Sequence, residues 1–304
     1  EDAFGDALAE GFARAVESWG RLEEDLATGE LPFPYWGMPE HQYDPRTQVE
    51  WGYGTILGDR DINEHTFASI HLDSLQGTLI PWVRPAAPAE DLVRIYSDRM
   101  EPYHNDPDRM QMLDYSTENI YSEHMAKLVA WHRHYTRFWK QSMLFCDWRW
   151  PDFVNVMQPD KVGSSGNSEP EFLKAVTGKD LSFGEGVELG RKIWNLDHAI
   201  WTLQGRHRDM VRLAAYMYTE PYPGIEEIPF IPYTLPGRQN GEWKYINTAH
   251  RCLDIDKFEE FKSLFYRLEG WDPATGYPNR GTLEALGLHD VADELEASGR
   301  LGGS

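Results

Sequence analysis

The sequence predicts an all-α, multihelical fold, and three observations predict it. Apolar residues recur three and four apart in separate windows, at 4–19, 127–146, 182–203 and 256–268, the period of a helix with one buried face. Two of these windows open with capping-box spacing, Ser182 with Glu185 and Asp256 with Glu259, where the first side chain and the third residue on can satisfy each other's backbone donors. The segments between them are rich in proline and glycine and read as loops and connectors. With 304 residues the chain is long enough for one large or two ordinary domains with a substantial core.

The elements follow in order. Residues 4–19 form a helix with Phe4, Leu8, Phe12, Ala15 and Trp19 on one side. Residues 29–43, rich in Gly, Pro and aromatics, form an ordered surface loop. Residues 78–110 are proline-rich and connect two domains, with one short helix over 90–100. Ser116 or Thr117 caps the long helix that follows. On that helix Leu128, Trp131, Tyr135 and Phe138 share a face. The pattern stops after Cys146, where an Asp-Trp-Arg-Trp-Pro run breaks it. His132 and His134 are two apart and so face different ways, as surface or core-edge residues. Residues 163–168 are a flexible loop. The next helix carries a core stripe of Leu189, Ile193, Leu196, Ile200 and Leu203, and residues 219–248 form a long loop. The last long helix buries Phe258, Phe261, Phe265 and Leu268. Cys252 is read as a buried thiol.

The bulk numbers bound the partners. Twenty-nine basic and 50 acidic residues leave a net charge of −21, which makes nucleic acid and anionic membranes poor partners. Two cysteines give no disulfide framework and suit a reducing compartment. No signal peptide or long apolar run is visible, so a soluble cytoplasmic protein is expected, with no membrane partner. The chain begins at Glu1 and enters an amphipathic helix almost at once, which leads us to expect that an N-terminal part is missing. Twelve Trp, 15 Tyr and 13 Phe make it aromatic-rich; large core residues account for that.

Two stretches carry side chains suited to chemistry. Cys146 ends a buried helix. It could be inert packing, a nucleophile, or a ligand of a metal cluster that needs four such ligands. In residues 43–65, glycines would let backbone approach a flat cofactor, Arg46 and Arg60 can clamp phosphate, and His65 can move a proton near neutral pH. The alternative there is a polar loop with an Asp–Arg salt bridge.

Several motifs together resemble the tungsten-dependent aldehyde ferredoxin oxidoreductase family. QSMLFC at 141–146 is similar to its DSxGLC stretch, with Gln141 in place of the aspartate and Leu144 of the glycine. YDPRTQVEWGYGTILGDRDINEH resembles its DPRG…YAT..RG..H segment, with Thr47 in place of the glycine. LSFGEGVELGRKIWNLDHAIWTLQGRHRD resembles its ELGERIxNLERxFNxRxGxxRxDD helix at Gly190, Arg191, Ile193, Asn195, Leu196, Gly205, Arg208 and Asp209, while Met210 replaces the second acid. LAEG near the start and GWDPATGYP near the end complete the series, the last with a structural role.

The resemblance implies the rest. The fold would be the multihelical C-terminal domains of that family: residues 1–84 the end of a middle helical domain and 85–304 the C-terminal one. Cys146 would be the last ligand of a [4Fe-4S] cluster whose other cysteines lie in an upstream domain absent here. Asp44, Arg46, Arg60, Gln141, Ser142 and Phe145 would contact a tungsten bis-pterin (tungstopterin), and His65 would move the catalytic proton. ILGDRDINEH, the aromatic-rich helix and RHRDMVRL look more like the tungsten-bearing subunit of class II benzoyl-CoA reductase, which reduces the ring of an acyl-CoA substrate with electrons from a small iron–sulfur partner subunit. Oxidation of an aldehyde substrate to carboxylate with ferredoxin as acceptor is the alternative enzyme, and a helical scaffold or electron-relay subunit the non-enzyme alternative. Either enzyme could be oligomeric.

Overall fold

The structure is a computed structural model and describes residues 3–28, 44–58, 69–74, 85–145, 153–164, 168–224 and 234–303. Helices dominate it. Two short ones, α1 (Ala3–Ala9) and α2 (Phe12–Ser18), replace the single helix expected over 4–19. Gly11, at φ 94°, separates them, a conformation that glycine adopts at no steric cost. The rings of Phe4 and Trp19 still stack, 5.5 Å between centroids. There follow α3 (Leu22–Thr28), α4 (Val49–Leu57), α5 (Ser69–Asp73) and α6 (Ala89–Ser97). The loop expected over 29–43 lies outside the described residues.

The long helix α7 (Glu123–Tyr135) starts later than expected. Its N-cap is Ser122, whose hydroxyl accepts from the Met125 amide at 3.2 Å. Leu128, Trp131 and Tyr135 are buried as their spacing predicts, and Phe138 is half-buried. The helix then widens into a π turn, Thr136–Lys140, runs on as the single turn α8 (Gln141–Met143), and ends at Leu144 in the left-handed region. Such π turns recur at functional sites.

After α9 (Ser168–Thr177) comes α10 (Phe183–Leu203). Its capping box is formed as predicted: Glu185 N–H donates to Ser182 Oγ at 3.2 Å and Ser182 N–H to Glu185 Oε2 at 2.7 Å. The predicted core stripe is not the buried one. Leu189, Ile193, Leu196 and Ile200 are 37 to 45 % exposed, while Phe183, Val187, Trp194, His198 and Trp201 turn inward. Gly186 and Gly190 explain the choice. A Cβ at Gly186 would meet the Trp139 indole, and one at Gly190 the carbonyl of His134. Close approach of backbones therefore selects the glycine-bearing face, and the indoles fill the space around it. Gly190→Ala is expected to lower the melting temperature, because overpacking costs about 1–3 kcal/mol against a helix-propensity gain of at most about 1 kcal/mol. An unchanged melting temperature would mean that α7 and α10 can separate freely.

Beyond α11 (Tyr216–Thr219) the expected loop contains a departure from all-α. β1 (Thr234–Gln239) and β2 (Glu242–Asn247) pair antiparallel, joined by Asn240 and Gly241, both at positive φ. Asn-Gly is the preferred two-residue hairpin turn. The chain ends in α12 (Ile255–Glu269), α13 (Arg280–Ala285) and α14 (His289–Ala297). Asp254, not Asp256, caps α12, accepting from the Lys257 amide at 3.1 Å. Phe258, Phe261 and Phe265 are buried as expected. The main core joins these to Tyr53 of α4, Trp131 and Tyr135 of α7, and Trp194 of α10, and so draws on both sides of residue 84. Among the described residues, no helix is long and apolar enough to cross a membrane.

Candidate cofactor site

Arg46 is committed inward. Asp44 accepts from its backbone amide (2.9 Å), Nε (2.9 Å) and Nη2 (2.6 Å), while Nη1 donates to the Glu220 carbonyl at 2.6 Å. The guanidinium lies 5.1 Å from the ring centroids of both Tyr216 and Tyr222 and is 4 % exposed. The pair locks the turn before α4 onto the segment after α11. It is a fork-to-fork ion pair, with three of five donors already used.

The glycine-containing segment expected beside a cofactor is helix α4. Gly52 packs on Pro45, and Gly54 leaves room for the guanidinium of Arg133, itself 1 % exposed. Arg206 closes the helix end, giving hydrogen bonds to the carbonyls of Gly58 (2.8 Å), Leu57 (2.9 Å) and Ile56 (3.1 Å). The last carbonyls of a helix lack internal partners and attract a cation. Arg60 and His65 lie just beyond, outside the described residues.

Gln141 and Ser142 sit on α8, directly after the π turn. Gln141 Nε2 is buried and has no hydrogen-bond partner. Ser142 is exposed, and Phe145 is half-buried with its ring edge-on to Phe172 at 5.8 Å. Cys146 lies outside the described residues, and Cys252 is exposed rather than buried.

A second polar cluster was not foreseen. Glu50 Oε1 accepts from Tyr115 Oη at 2.8 Å and pairs with His71 Nε2 at 2.7 Å. His71 lies against Trp51, ring centroids 4.0 Å apart. His132, expected at the surface or core edge, is 2 % exposed; burial is the main cause pushing it down to about 4. His134 is also buried, 3.0 Å from Glu269. His132 stands four residues from Leu128, on the same face, which is the signal that could have placed it inside. Nothing local marks Glu50.

A family model for aldehyde ferredoxin oxidoreductase, domains 2 and 3, matches residues 1–288. The chain belongs to the aldehyde ferredoxin oxidoreductase family. Among solved structures it is similar to the active-site complex BamBC of benzoyl-coenzyme A reductase with 1,5-dienoyl-CoA, at TM-score 0.57 and 17 % identity. The alignment covers 100 % of this chain and 39 % of that one, a likeness of fold.

Family positions can now be sorted by what they touch. Asn195 Oδ1 accepts from the Trp271 indole at 2.8 Å. Arg208 donates to Ser263 Oγ, to the Pro273 carbonyl and to Glu259, tying the GWDPATGYP turn to α12. Within that turn Asp272 accepts from the Ala274 amide (2.8 Å) and the Thr275 hydroxyl (3.1 Å). These residues are structural, as the sequence suggested for the turn. Aldehyde ferredoxin oxidoreductases bind a tungsten or molybdenum pterin, a flat group edged with donors and acceptors. Gln141 fits such a group, since its buried amide still has donors to give. Asp44 and Arg46 fit a supporting role better than direct contact.

Proposed function

We propose that this chain is part of a tungsten bis-pterin, iron–sulfur oxidoreductase that reduces the aromatic ring of benzoyl-CoA. The observation that carries the reading is Gln141, at the family position of the DSxGLC aspartate, with an Nε2 that is buried and has no hydrogen-bond partner among the described residues. The bound group supplies low-potential electron transfer. In this reading Gln141 and Ser142 hold its polar edge, Arg60 clamps a phosphate, and Cys146 completes a [4Fe-4S] cluster with ligands from upstream. Asp44 and Arg46 keep the turn before α4 rigid, and His65 gives a proton to the substrate in a water-poor pocket.

Support for the acyl-CoA substrate comes from the departures at Gln141, Leu144 and Met210 and from the likeness to the BamBC complex, which holds a dienoyl-CoA. The electrons would come from a small iron–sulfur partner subunit. The second reading is aldehyde oxidation with ferredoxin, favoured by the family description itself.

Purification of the full-length complex under anaerobic conditions tests both. Expected are tungsten and iron in the protein and oxidation of a cyclic dienoyl-CoA in the reverse direction. Fast aldehyde oxidation with no activity on the CoA ester would reverse the order of the two readings. Protein without metal or pterin would return the chain to a helical scaffold.

A further inference from the structure

One cavity contains none of the residues assigned to the cofactor. It lies between α3, the segment 209–215, α11 and the first turns of α12, and its volume is about 790 Å³. Small-molecule sites usually occupy about 300–1,000 Å³. Its walls are tied to one another. The Ala215 amide donates to the Thr28 carbonyl at 2.8 Å, which joins α3 to the start of α11. Lys262 of α12 donates to the Val211 carbonyl, also at 2.8 Å. Leu213, Ala215, Tyr218 and Ile255 give the cavity an apolar side. Ile255 is 55 % exposed, although Phe258 and Phe261 on the same helix are fully buried.

Four charged side chains line the cavity, and they are not equivalent. Glu259 is spent: Oε1 lies 2.7 Å from Lys262 Nζ, and Oε2 accepts from Arg208 at 3.0 Å. Asp209 sits at the rim, its side chain 76 % exposed. The two bases keep capacity. Lys262 is buried, and an ammonium has three N–H donors, of which Glu259 and the Val211 carbonyl take two. Arg212 is held through Nε, which donates to the Asp209 carbonyl at 2.6 Å. Both of its Nη groups are left without a partner among the described residues. Together they make an end-on fork that matches the two oxygens of a carboxylate. Two acids and two bases leave the lining with no net charge, which suits a singly charged anion better than a phosphate dianion.

We propose that this cavity binds a small monocarboxylate with an apolar body, an aryl or alkyl acid. The carboxylate takes the Arg212 fork, the Lys262 ammonium adds attraction from the floor, and the body lies against Leu213, Tyr218 and Ile255. The bound acid bridges α3 and α11 to α12. This binding needs neither metal nor pterin, so it does not rest on the functional reading above.

Titration calorimetry of the full-length protein with sodium benzoate and sodium hexanoate tests this. Both are expected to bind saturably and to raise the melting temperature, as a ligand of the folded state does. Benzamide, which has the ring without the charge, and inorganic phosphate are expected neither to bind in the cavity nor to compete. Ala215→Trp should fill the space and remove the binding. Arg212→Gln should weaken it by about ten- to a hundredfold, the loss expected for charge-assisted hydrogen bonds. Both positions are exposed, so both variants should keep the fold. Absence of saturable binding, benzoate binding that survives both substitutions, or benzamide binding as tightly as benzoate overturns the proposal. Displacement of benzoate by phosphate overturns the monocarboxylate assignment. A protein without metal or pterin that still binds benzoate in this way overturns the functional reading alone.

Discussion

Replacing His65 with asparagine in the full-length, metal-loaded enzyme is expected to lower turnover by roughly 100- to 10,000-fold, the usual range for loss of a general acid. Metal content and melting temperature should stay near wild type. The reason is chemical: ring reduction and aldehyde oxidation both need a proton moved near the metal, and histidine does so close to neutral pH with little tuning. If His65 merely buttressed its loop, its loss would cost about 0.5–1.5 kcal/mol of stability and leave turnover of folded enzyme near normal. Near-wild-type turnover would therefore end the assignment, and a fall in metal content would move His65 to the cofactor cradle. His71 is the comparison position, and the structure shows why it should respond differently. It is fully buried and hydrogen-bonded to Glu50, so His71→Asn takes a partner from a buried carboxyl and is expected to lower stability strongly.

How far the sequence could be read depends on what kind of information each element used. Capping and periodicity are local, and they located α7, α10 and α12. The N-cap errors have a local cause too: Ser116, Thr117 and Ser122 all offer a hydroxyl, and only the packing of α7 selects Ser122. The hairpin was legible in principle, since Asn240-Gly241 is a strong turn signal, but the prolines and glycines around it hid the strands. Which face of α10 is buried was not legible from hydrophobicity. Leu189, Ile193, Leu196 and Ile200 make the cleaner apolar stripe, yet Gly186 and Gly190 decide the packing because they set how close α7 can come.

The site divides in the same way. The resemblance pointed to Arg46 and Gln141 as equivalents, but only the partners distinguish them: Arg46 spends three of its five donors on Asp44 and Glu220, and Gln141 Nε2 is buried with no hydrogen-bond partner among the described residues. The Glu50 cluster brings together residues up to 82 positions apart in sequence, from Glu50 to His132, and no spacing rule encodes such a meeting. His132 alone gave a hint, through its place on the apolar face of α7.

Acid should destabilise the chain steeply, and two histidines set the window. His198 donates from Nε2 to the Gly276 carbonyl at 2.7 Å and stacks on Trp271, with ring centroids 3.5 Å apart and an interplanar angle of 2°. Its Nδ1 is buried without a partner, so a second proton would sit on an unsatisfied nitrogen. Burial, with Arg206 adding, pushes its pKa from 6.5 down to about 3, and burial pushes His132 from 6.5 down to about 4. Both values are lowered on folding, so below 6.5 the unfolded chain binds protons that the folded chain refuses. Stability is then complete above that value and lost as pH falls toward the folded values. At a pH of about 4 each histidine costs roughly 3 kcal/mol, and together they approach the whole stability of an ordinary domain, about 5–15 kcal/mol. Glu50, lowered on folding as well, acts in the same direction. Denaturant melts at neutral pH and at about pH 4 measure the loss. His198→Gln should lower stability modestly at neutral pH, since the stack on Trp271 is weakened, and should reduce the acid-dependent part by about half, because His132 remains. An acid dependence identical to that of the wild type would show that His198 is already protonated when folded, and that the lone Nδ1 against Trp271 is not what excludes the proton.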